Sequence, residues 1–151
     1  MKEYGHLLGD ADGAAFAAKC RDVSELLAAE GLTATPRPTT ARVAYDAPCH
    51  LCHGQGVRSQ PQQLLAQVPG LELVANDGSE DCCGSAGIYN LLQPELAAEI
   101  GQRKVRGLLR GGPDMVVTGN PGCMLQIDSH LRRSGHSVPV RHPIELLQPP
   151  S

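Results

Sequence analysis

Apolar residues recur along the chain in two patterns, short and mainly apolar runs and longer stretches with a period of about 3.6 residues. Short runs bounded by proline or glycine are typical of buried strands. The run Met-Val-Val-Thr at 115–118 carries no charge and indicates a buried strand. Together the short runs predict strands at residues 43–45, 71–74, 115–118 and 138–141.

The longer stretches predict helices before and between these strands. The first stretch, residues 14–29, has an apolar stripe that includes Phe16 and Leu26, and Gly31 after it favours the end of a helix. Pro61 and Pro94 stand at predicted first turns, where the missing N–H of proline is harmless. The predicted helices span residues 14–29, 60–68, 84–92, 94–109, 123–133 and 143–147.

The alternation of strands and helices predicts the fold class. Strands separated by helices form parallel sheets with helices on their faces. We therefore expect a three-layer α/β fold, with a mostly parallel sheet and helices on both faces. The length of 151 residues fits a single domain, 1–151, in which 1–31 forms a helical segment before the first strand.

Composition narrows the choice of partners. Thirteen basic and sixteen acidic residues give a net charge of −3, and the chain has no basic stripe. Aromatic residues are scarce, with one Phe, three Tyr and no Trp. Because nucleic-acid binding relies on basic patches and stacking side chains, we expect no nucleic-acid partner.

The expected location is the cytoplasm. Residues 1–6 are mostly polar and do not begin a secretory signal, and no run approaches the roughly 18 apolar residues of a membrane span. In a reducing compartment, six cysteines indicate metal binding or catalysis more than disulfides.

The cysteines follow the predicted strands. Cys49 comes after the first strand, Cys82 and Cys83 after the second, and Cys123 after the third. In an open α/β sheet, ligands bind beyond the carboxyl ends of the strands. We therefore expect these cysteine loops to converge at one edge, where gathered thiolates hold a soft metal or an iron–sulfur cluster.

The adjacent pair Cys82–Cys83 is the most informative feature of the sequence. Neighbouring residues on a strand point to opposite faces, so two thiols for one target need a tight turn, which Gly84 allows. Helices predicted to start near Gly84 and Gly122 would direct free backbone amides at the same place. Such amides favour an anion, and an iron–sulfur cluster held by four thiolates is anionic.

Residues 49–53 admit two other interpretations. Cys-His-Leu-Cys-His matches the pattern for covalent haem attachment, which normally requires export and leaves the later cysteines unused. The second interpretation is a structural zinc module, in which the metal is held by Cys49, Cys52, His53 and one later cysteine. Zinc does not need an adjacent cysteine pair, which counts against it.

A thiol–disulfide protein is the alternative from another class. Cys82 and Cys83 would form the reactive pair, with His50 or His53 lowering a thiol pKa. Cys20 lies in the first predicted helix, and we expect it to be an ordinary packing or surface thiol.

In its cysteine motifs the chain resembles the cysteine-rich, or CCG, domain in the C-terminal half of the iron–sulfur subunit of glycolate oxidase (glycolate dehydrogenase). The resemblance covers nearly the whole chain. Similar domains occur in heterodisulfide reductase and in lactate-utilisation iron–sulfur proteins. The segments that carry it are 48–51 with 53–56, the run Cys-Cys-Gly-Ser-Ala-Gly-Ile-Tyr-Asn at 82–90, and Gly-Asn-Pro-Gly-Cys at 119–123.

The resemblance implies an electron-transfer function. Its cluster ligands map onto Cys49, Cys82, Cys83 and Cys123, and the implied cofactor is a [4Fe–4S] cluster. The implied partners are flavin-containing glycolate oxidase subunits that oxidise a 2-hydroxy acid, with a quinone or another acceptor receiving the electrons. Contact with the inner face of the cell membrane through such a complex is the alternative to a free cytoplasmic location.

The chain departs from its relatives in two respects. The related glycolate oxidase protein carries an N-terminal ferredoxin-like half, which is absent here, so a separate ferredoxin-like chain is a further expected partner. In the heterodisulfide reductase domain the last motif continues as Cys-x-x-Cys, whereas Gln126 stands at that position here. A fifth ligand would then have to come from Cys52.

Overall fold

The computed structural model of the protein describes residues 1–150. Its centre is a sheet of four strands, all parallel, in the order β2-β1-β3-β4. The parallel sheet with surrounding helices confirms the predicted α/β fold. The strands are β1 (Ala41–Asp46), β2 (Leu71–Leu73), β3 (Met115–Thr118) and β4 (Val140–Arg141).

Helices precede and separate the strands. One short π-helix, His50–Gly54, follows β1 directly. No helix within residues 1–150 is long and apolar enough to cross a membrane. The α-helices are α1 (Tyr4–Leu8), α2 (Ala11–Lys19), α3 (Val23–Glu30), α4 (Gln60–Leu65), α5 (Tyr89–Leu92), α6 (Pro94–Leu109), α7 (Pro121–Arg133) and α8 (Pro143–Leu146).

Helices cover both faces of the sheet, as predicted. On one face, Ala44 and Val116 pack in a buried cluster with Val105 of α6 and Ile127 of α7. We call this the α6–α7 face. Burial of apolar side chains from a sheet and two helices is the main source of stability in such a layer.

The opposite face, which we call the α4 face, has its own cluster. Val43, Tyr45 and Val117 pack there with Leu65 of α4. Adjacent strand residues thus alternate between the two clusters, as the strand geometry requires. Since both faces are buried at the centre of the sheet, β3 and the middle of β1 appear in the sequence as apolar runs, whereas β2 at the edge carries the exposed Glu72.

The single helix predicted at 14–29 is wrong. Two helices, α2 and α3, occupy this stretch and are separated at Cys20, which ends α2. Asp22 and Glu25 form a capping box that starts α3 afresh. Phe16 stacks on Tyr4 of α1, with 5.6 Å between ring centroids. Leu27 of α3 packs instead against the buried cluster of Leu64, Val68 and Leu147, so the predicted apolar stripe is divided between two contacts.

The helix predicted at 84–92 is also largely wrong, since only its last residues, in α5, are helical. Gly84 and Gly87 have φ values of 82° and 66°, and Ala86 has a φ of 31°. Three positive φ values in four residues are incompatible with a right-handed helix. This stretch is a turn instead.

Other predicted elements correspond closely to the structure. The helix at 94–109 and the strand at 115–118 have the predicted bounds. Helix α7 begins two residues earlier than predicted, because Asn120 caps it and Pro121 occupies the first turn. The strand predicted at 138–141 is limited to β4.

Leu131 provides a direct test of this packing. It is 1% exposed on α7, whereas Leu125 of the same helix is 75% exposed. We expect Leu131→Ala to lower the free energy of unfolding by about 2–5 kcal/mol, because it leaves a cavity on the α6–α7 face. Leu125→Ala is the matched control, with an expected change within about 0.5 kcal/mol. Denaturant unfolding of the reduced, metal-free protein measures both, and equal effects would contradict the assigned core.

Candidate functional site

Three cysteine-bearing loops leave the sheet side by side. The first loop (residues 47–59) follows β1, the second (74–88) follows β2, and the third (119–123) follows β3 and enters α7. Because β1 lies between β2 and β3, the chain leaves β1 first to one side and later crosses to the other. Such a switch point opens a crevice at the carboxyl ends of the strands, where ligands bind.

Cys83 and Cys123 meet at this edge. Both are buried, and their sulfur atoms lie 3.2 Å apart, close enough for a hydrogen bond. This bond, helped by the backbone amide of Ser85 and opposed by burial, lowers the pKa of Cys83 to about 7. The pKa of Cys123 is strongly raised, because its loss of a proton would break that bond and place a second negative charge in a buried pair.

Cys49 and Cys82 lie at the outer side of the same edge. Cys49 is exposed and Cys82 is partly buried. Burial raises the pKa of Cys49, and the neighbouring charges of Cys82 and Cys83 raise it further. A thiolate at Cys49 in turn adds to the rise in the pKa of Cys123. The structure therefore places Cys49 within electrostatic reach of the three other cysteines selected from the sequence.

Hydrogen bonds tie the three loops together. The amide of Ala47 in the first loop donates to the carbonyl of Ser79 in the second, at 3.0 Å. The Asn120 side-chain nitrogen in the third loop lies 2.8 Å from Nδ1 of His50 in the first. The position of each cysteine thus depends on the other two loops as well as on its own strand.

Two of the backbone amides near the sulfurs come from the turn after the cysteine pair, and a third, that of His50, favours the thiolate of Cys49. The Gly84 amide donates to the Cys82 sulfur at 3.3 Å, and the Ser85 amide favours the thiolate of Cys83. The prediction of a helix starting near Gly84 and supplying these amides is therefore wrong, although the amides are present. At α7, the Asn120 side chain accepts a hydrogen bond from the Cys123 amide at 3.1 Å, so that donor is already used.

The other candidate ligands are placed elsewhere. Cys52 is buried on the α4 face, in the cluster with Tyr45 and Val117, away from the face that holds Cys83 and Cys123. His53 Nδ1 lies 3.3 Å from the guanidinium of Arg58. These positions do not support a zinc site built from Cys49, Cys52 and His53. Cys20 ends α2, outside the sheet edge.

A buried ion pair beside the site was not expected from the sequence. Lys104 of α6 and Asp46 of β1 contact each other, and each is 1% exposed. The Thr118 hydroxyl donates to Asp46 at 2.5 Å. Burial raises the pKa of Asp46, while Lys104 and Thr118 oppose that rise.

One signal in the sequence could have revealed Lys104. Ala97, Gly101 and Leu108 mark the buried side of α6, at the spacing of a helix face. Lys104 stands within that register, so a charged residue occupies an apolar position. A lysine on the core side of a helix requires buried acceptors.

The donor set fits a soft metal group better than a hard ion. The donors are four thiols at one sheet edge, and backbone amides hydrogen-bond to three of the sulfurs, those of Cys49, Cys82 and Cys83. Among residues 1–150, no three Cys, His, Asp or Glu side chains are arranged to hold one metal ion. That finding concerns a single ion, whereas a cluster of several iron atoms has more widely spaced ligands.

Fold and site together define a class, the parallel α/β domains that gather thiols at neighbouring strand ends. The family model described as a cysteine-rich domain, CCG, matches residues 43–128, and the chain belongs to this family. The family match confirms the resemblance inferred from the cysteine motifs.

Several curated proteins are similar to the chain. The glycolate oxidase iron–sulfur subunit of Escherichia coli (strain K12) is 36% identical over 98% of this chain and 36% of its own length. Lactate utilization protein A of Oceanobacillus iheyensis is 32% identical, over 97% of this chain and 63% of that protein. A fumarate reductase (CoM/CoB) subunit of Methanothermobacter marburgensis is 38% identical, over 83% of this chain and 26% of that protein. The chain thus spans between about a quarter and two thirds of these relatives.

The Cys83–Cys123 contact leads to a titration test. In reduced, metal-free protein, we expect one thiol to ionise near pH 7. Cys123→Ala should move that titration upward, toward the ordinary value of a free thiol, because the thiolate loses its hydrogen-bond partner. Ultraviolet absorbance of the thiolate measures the change. Cys20→Ala serves as the control, and a titration unchanged by Cys123→Ala would contradict the contact.

Gly84 tests the geometry of the turn. A Cβ at this position would lie 2.6 Å from the carbonyl oxygen of Ala97, whereas a Cβ at Gly87 would meet nothing within 4 Å. Both glycines have positive φ, so Gly84→Ala and Gly87→Ala share the backbone strain of about 1–2 kcal/mol. We expect Gly84→Ala to lower the free energy of unfolding by about 1–3 kcal/mol more, because of the added clash. Equal losses in denaturant unfolding would show that the turn is placed differently.

Proposed function

We propose that the chain is an iron–sulfur electron-transfer unit, with Cys49, Cys82, Cys83 and Cys123 holding a [4Fe–4S] cluster. The observation that carries this proposal is the convergence of thiols from three loops, with the Cys83 and Cys123 sulfurs 3.2 Å apart. Ligation would replace the hydrogen bond between these two sulfurs with bonds to iron. A cluster of this kind accepts and releases single electrons.

The surrounding residues suit such a role. The Gly84 and Ser85 amides would stabilise negative charge on the coordinated sulfurs, as hydrogen bonds to cluster sulfurs do in general. Burial of Cys83 and Cys123 excludes water from the inner side of the site. Cys49 is exposed, so the outer side is open to an electron donor or acceptor.

The names of the similar proteins favour a particular kind of complex for this electron transfer. Two of them are named as a glycolate oxidase iron–sulfur subunit and a lactate utilization protein. Glycolate and lactate are both 2-hydroxy acids. We propose that the chain serves a complex in which flavin-containing subunits oxidise such an acid and a quinone or another acceptor receives the electrons. A separate ferredoxin-like chain would complete the electron path, in the cytoplasm or at the inner face of the membrane.

A dithiol redox protein is the second candidate, favoured by the same short contact. Cys83, with its lowered pKa, would be the attacking thiolate and Cys123 its partner. This pair differs from Cys82–Cys83, the pair expected from the sequence. Oxidation of two thiols to a disulfide transfers two electrons and releases two protons to an external disulfide acceptor.

Metal analysis of anaerobically prepared protein tests both candidates. Reconstitution with iron and sulfide should give a coloured protein, and serine at each of the four cysteines should reduce bound iron several-fold. Cys20→Ser is the matched control and should bind as much iron as the wild type.

Two outcomes would overturn the electron-transfer proposal. A colourless protein that binds one zinc ion tightly favours a structural module. An iron-free protein in which mass analysis finds a reversible Cys83–Cys123 disulfide favours the dithiol. Loss of iron in Cys20→Ser, with no loss in the other four variants, would contradict the assigned ligands.

A further inference from the structure

Lys104 is the buried charged group that the proposed function leaves unexplained. It is 1% exposed, although it lies in the middle of α6. Removing an ammonium from water has a large free-energy cost even after partial compensation. An apolar residue of similar size would normally serve a helix core at least as well. The particular contacts of Lys104 therefore indicate its role.

The first set of contacts is with the second loop. Lys104 Nζ donates to three backbone carbonyls, those of Gly78, of Ser79 at 2.8 Å and of Asp81 at 2.7 Å. These residues directly precede the Cys82–Cys83 pair. An ammonium has three N–H bonds, and these carbonyls share them with the Asp46 carboxylate. The loop before the paired cysteines is thus wrapped around one charged nitrogen.

The second set of contacts reaches the other two loops. The Lys104 ammonium also contacts the carboxylate of Asp46, which it holds by charge attraction and by hydrogen bonding. Asp46 ends β1, just before the loop of Cys49, and it accepts a hydrogen bond from Thr118, which ends β3. One ammonium is therefore connected to the second loop, to the end of β1 and, through Asp46, to the end of β3.

We propose that Lys104 is a positioning residue for the cysteine site, which fixes the second loop through its carbonyls and neutralises the Asp46 carboxylate beside the thiols. This inference rests on the proposed iron–sulfur function. Lys104 acts through the loop backbone and through Asp46, and it touches none of the four sulfurs directly.

The charges near the thiols agree with this role. The Asp46 carboxylate acts to raise the pKa of Cys83, and the Lys104 ammonium acts to lower it. Lys104 thus partly offsets the effect of Asp46 at Cys83, while Asp46 also acts to raise the pKa of Cys49 and of Cys123. Without Lys104, a buried carboxylate would face a group of thiolates uncompensated.

Two variants separate positioning from simple stabilisation of the fold. Lys104→Met removes the ammonium and leaves Asp46 buried without a partner. The double variant Asp46→Asn/Lys104→Met replaces the ion pair with neutral groups, which is often tolerated in a protein core. The double variant should therefore unfold at a higher temperature than Lys104→Met alone. In both variants the carbonyls of the second loop lose their hydrogen bonds to Lys104.

The matched control is Arg103→Met on the same helix. Arg103 Nε lies 3.8 Å from the carboxylate of Asp81, and both side chains are largely exposed. The Arg103→Met substitution removes one positive charge near the second loop and leaves the hydrogen bonds of the loop carbonyls in place.

The experiment compares these proteins after anaerobic reconstitution with iron and sulfide. The readouts are bound iron, the rate of iron loss to a chelator, and visible circular dichroism, which responds to ligand geometry. We expect several-fold faster iron loss and an altered dichroism spectrum in both Lys104 variants, with Arg103→Met like the wild type.

The results separate failure of this inference from failure of the proposed function. A double variant that matches the wild type in iron loss and dichroism would overturn the positioning role alone. A wild-type protein that binds no iron would overturn the proposed function and this inference with it.

Discussion

The parallel direction of the first three strands is the constraint on which the site depends. All loops after parallel strands leave from the same edge, and β1 lies between β2 and β3. Three cysteine-bearing loops that are distant in sequence are therefore neighbours in space. An antiparallel partner for β1 would send one loop to the opposite edge. The buried apolar residues that stabilise the sheet therefore also determine where the three cysteine-bearing loops lie.

The strand order brings the loops close, but side chains set their final arrangement. Ala47 is bonded to Ser79, and Asn120 lies against His50, so each loop is held by another loop. The Cys82–Cys83 turn also needs backbone conformations that Gly84 allows at little cost. A rigid sheet with mutually held loops gives soft ligands a defined separation, which a single flexible loop could not supply.

Features that depend on local pattern could be predicted from the sequence, whereas those that depend on distant contacts could not. Helix α6 and strand β3 were predictable because Pro94 starts one and an unbroken apolar run defines the other. The turn at 84–88 was mistaken for a helix, because Ala86 has a positive φ that its residue type does not suggest. The convergence of the cysteines followed from their positions after the strands. Their contacts, such as the Cys83–Cys123 pair, depend on loop conformations that no periodicity encodes.

Cys49 and Cys52 illustrate why spacing alone misleads. Their Cys-x-x-Cys-His motif suggests two thiols directed at one target, yet a π-helix follows Cys49 and buries Cys52 on the α4 face. Among the neighbouring charges, those of Glu80 and Arg58 have the largest effects on the pKa of Cys52. Cys49 is instead influenced by Cys82 and Cys83. Which thiols act together is therefore decided by the face of the sheet that each one reaches, and residues three positions apart can belong to different layers of the protein.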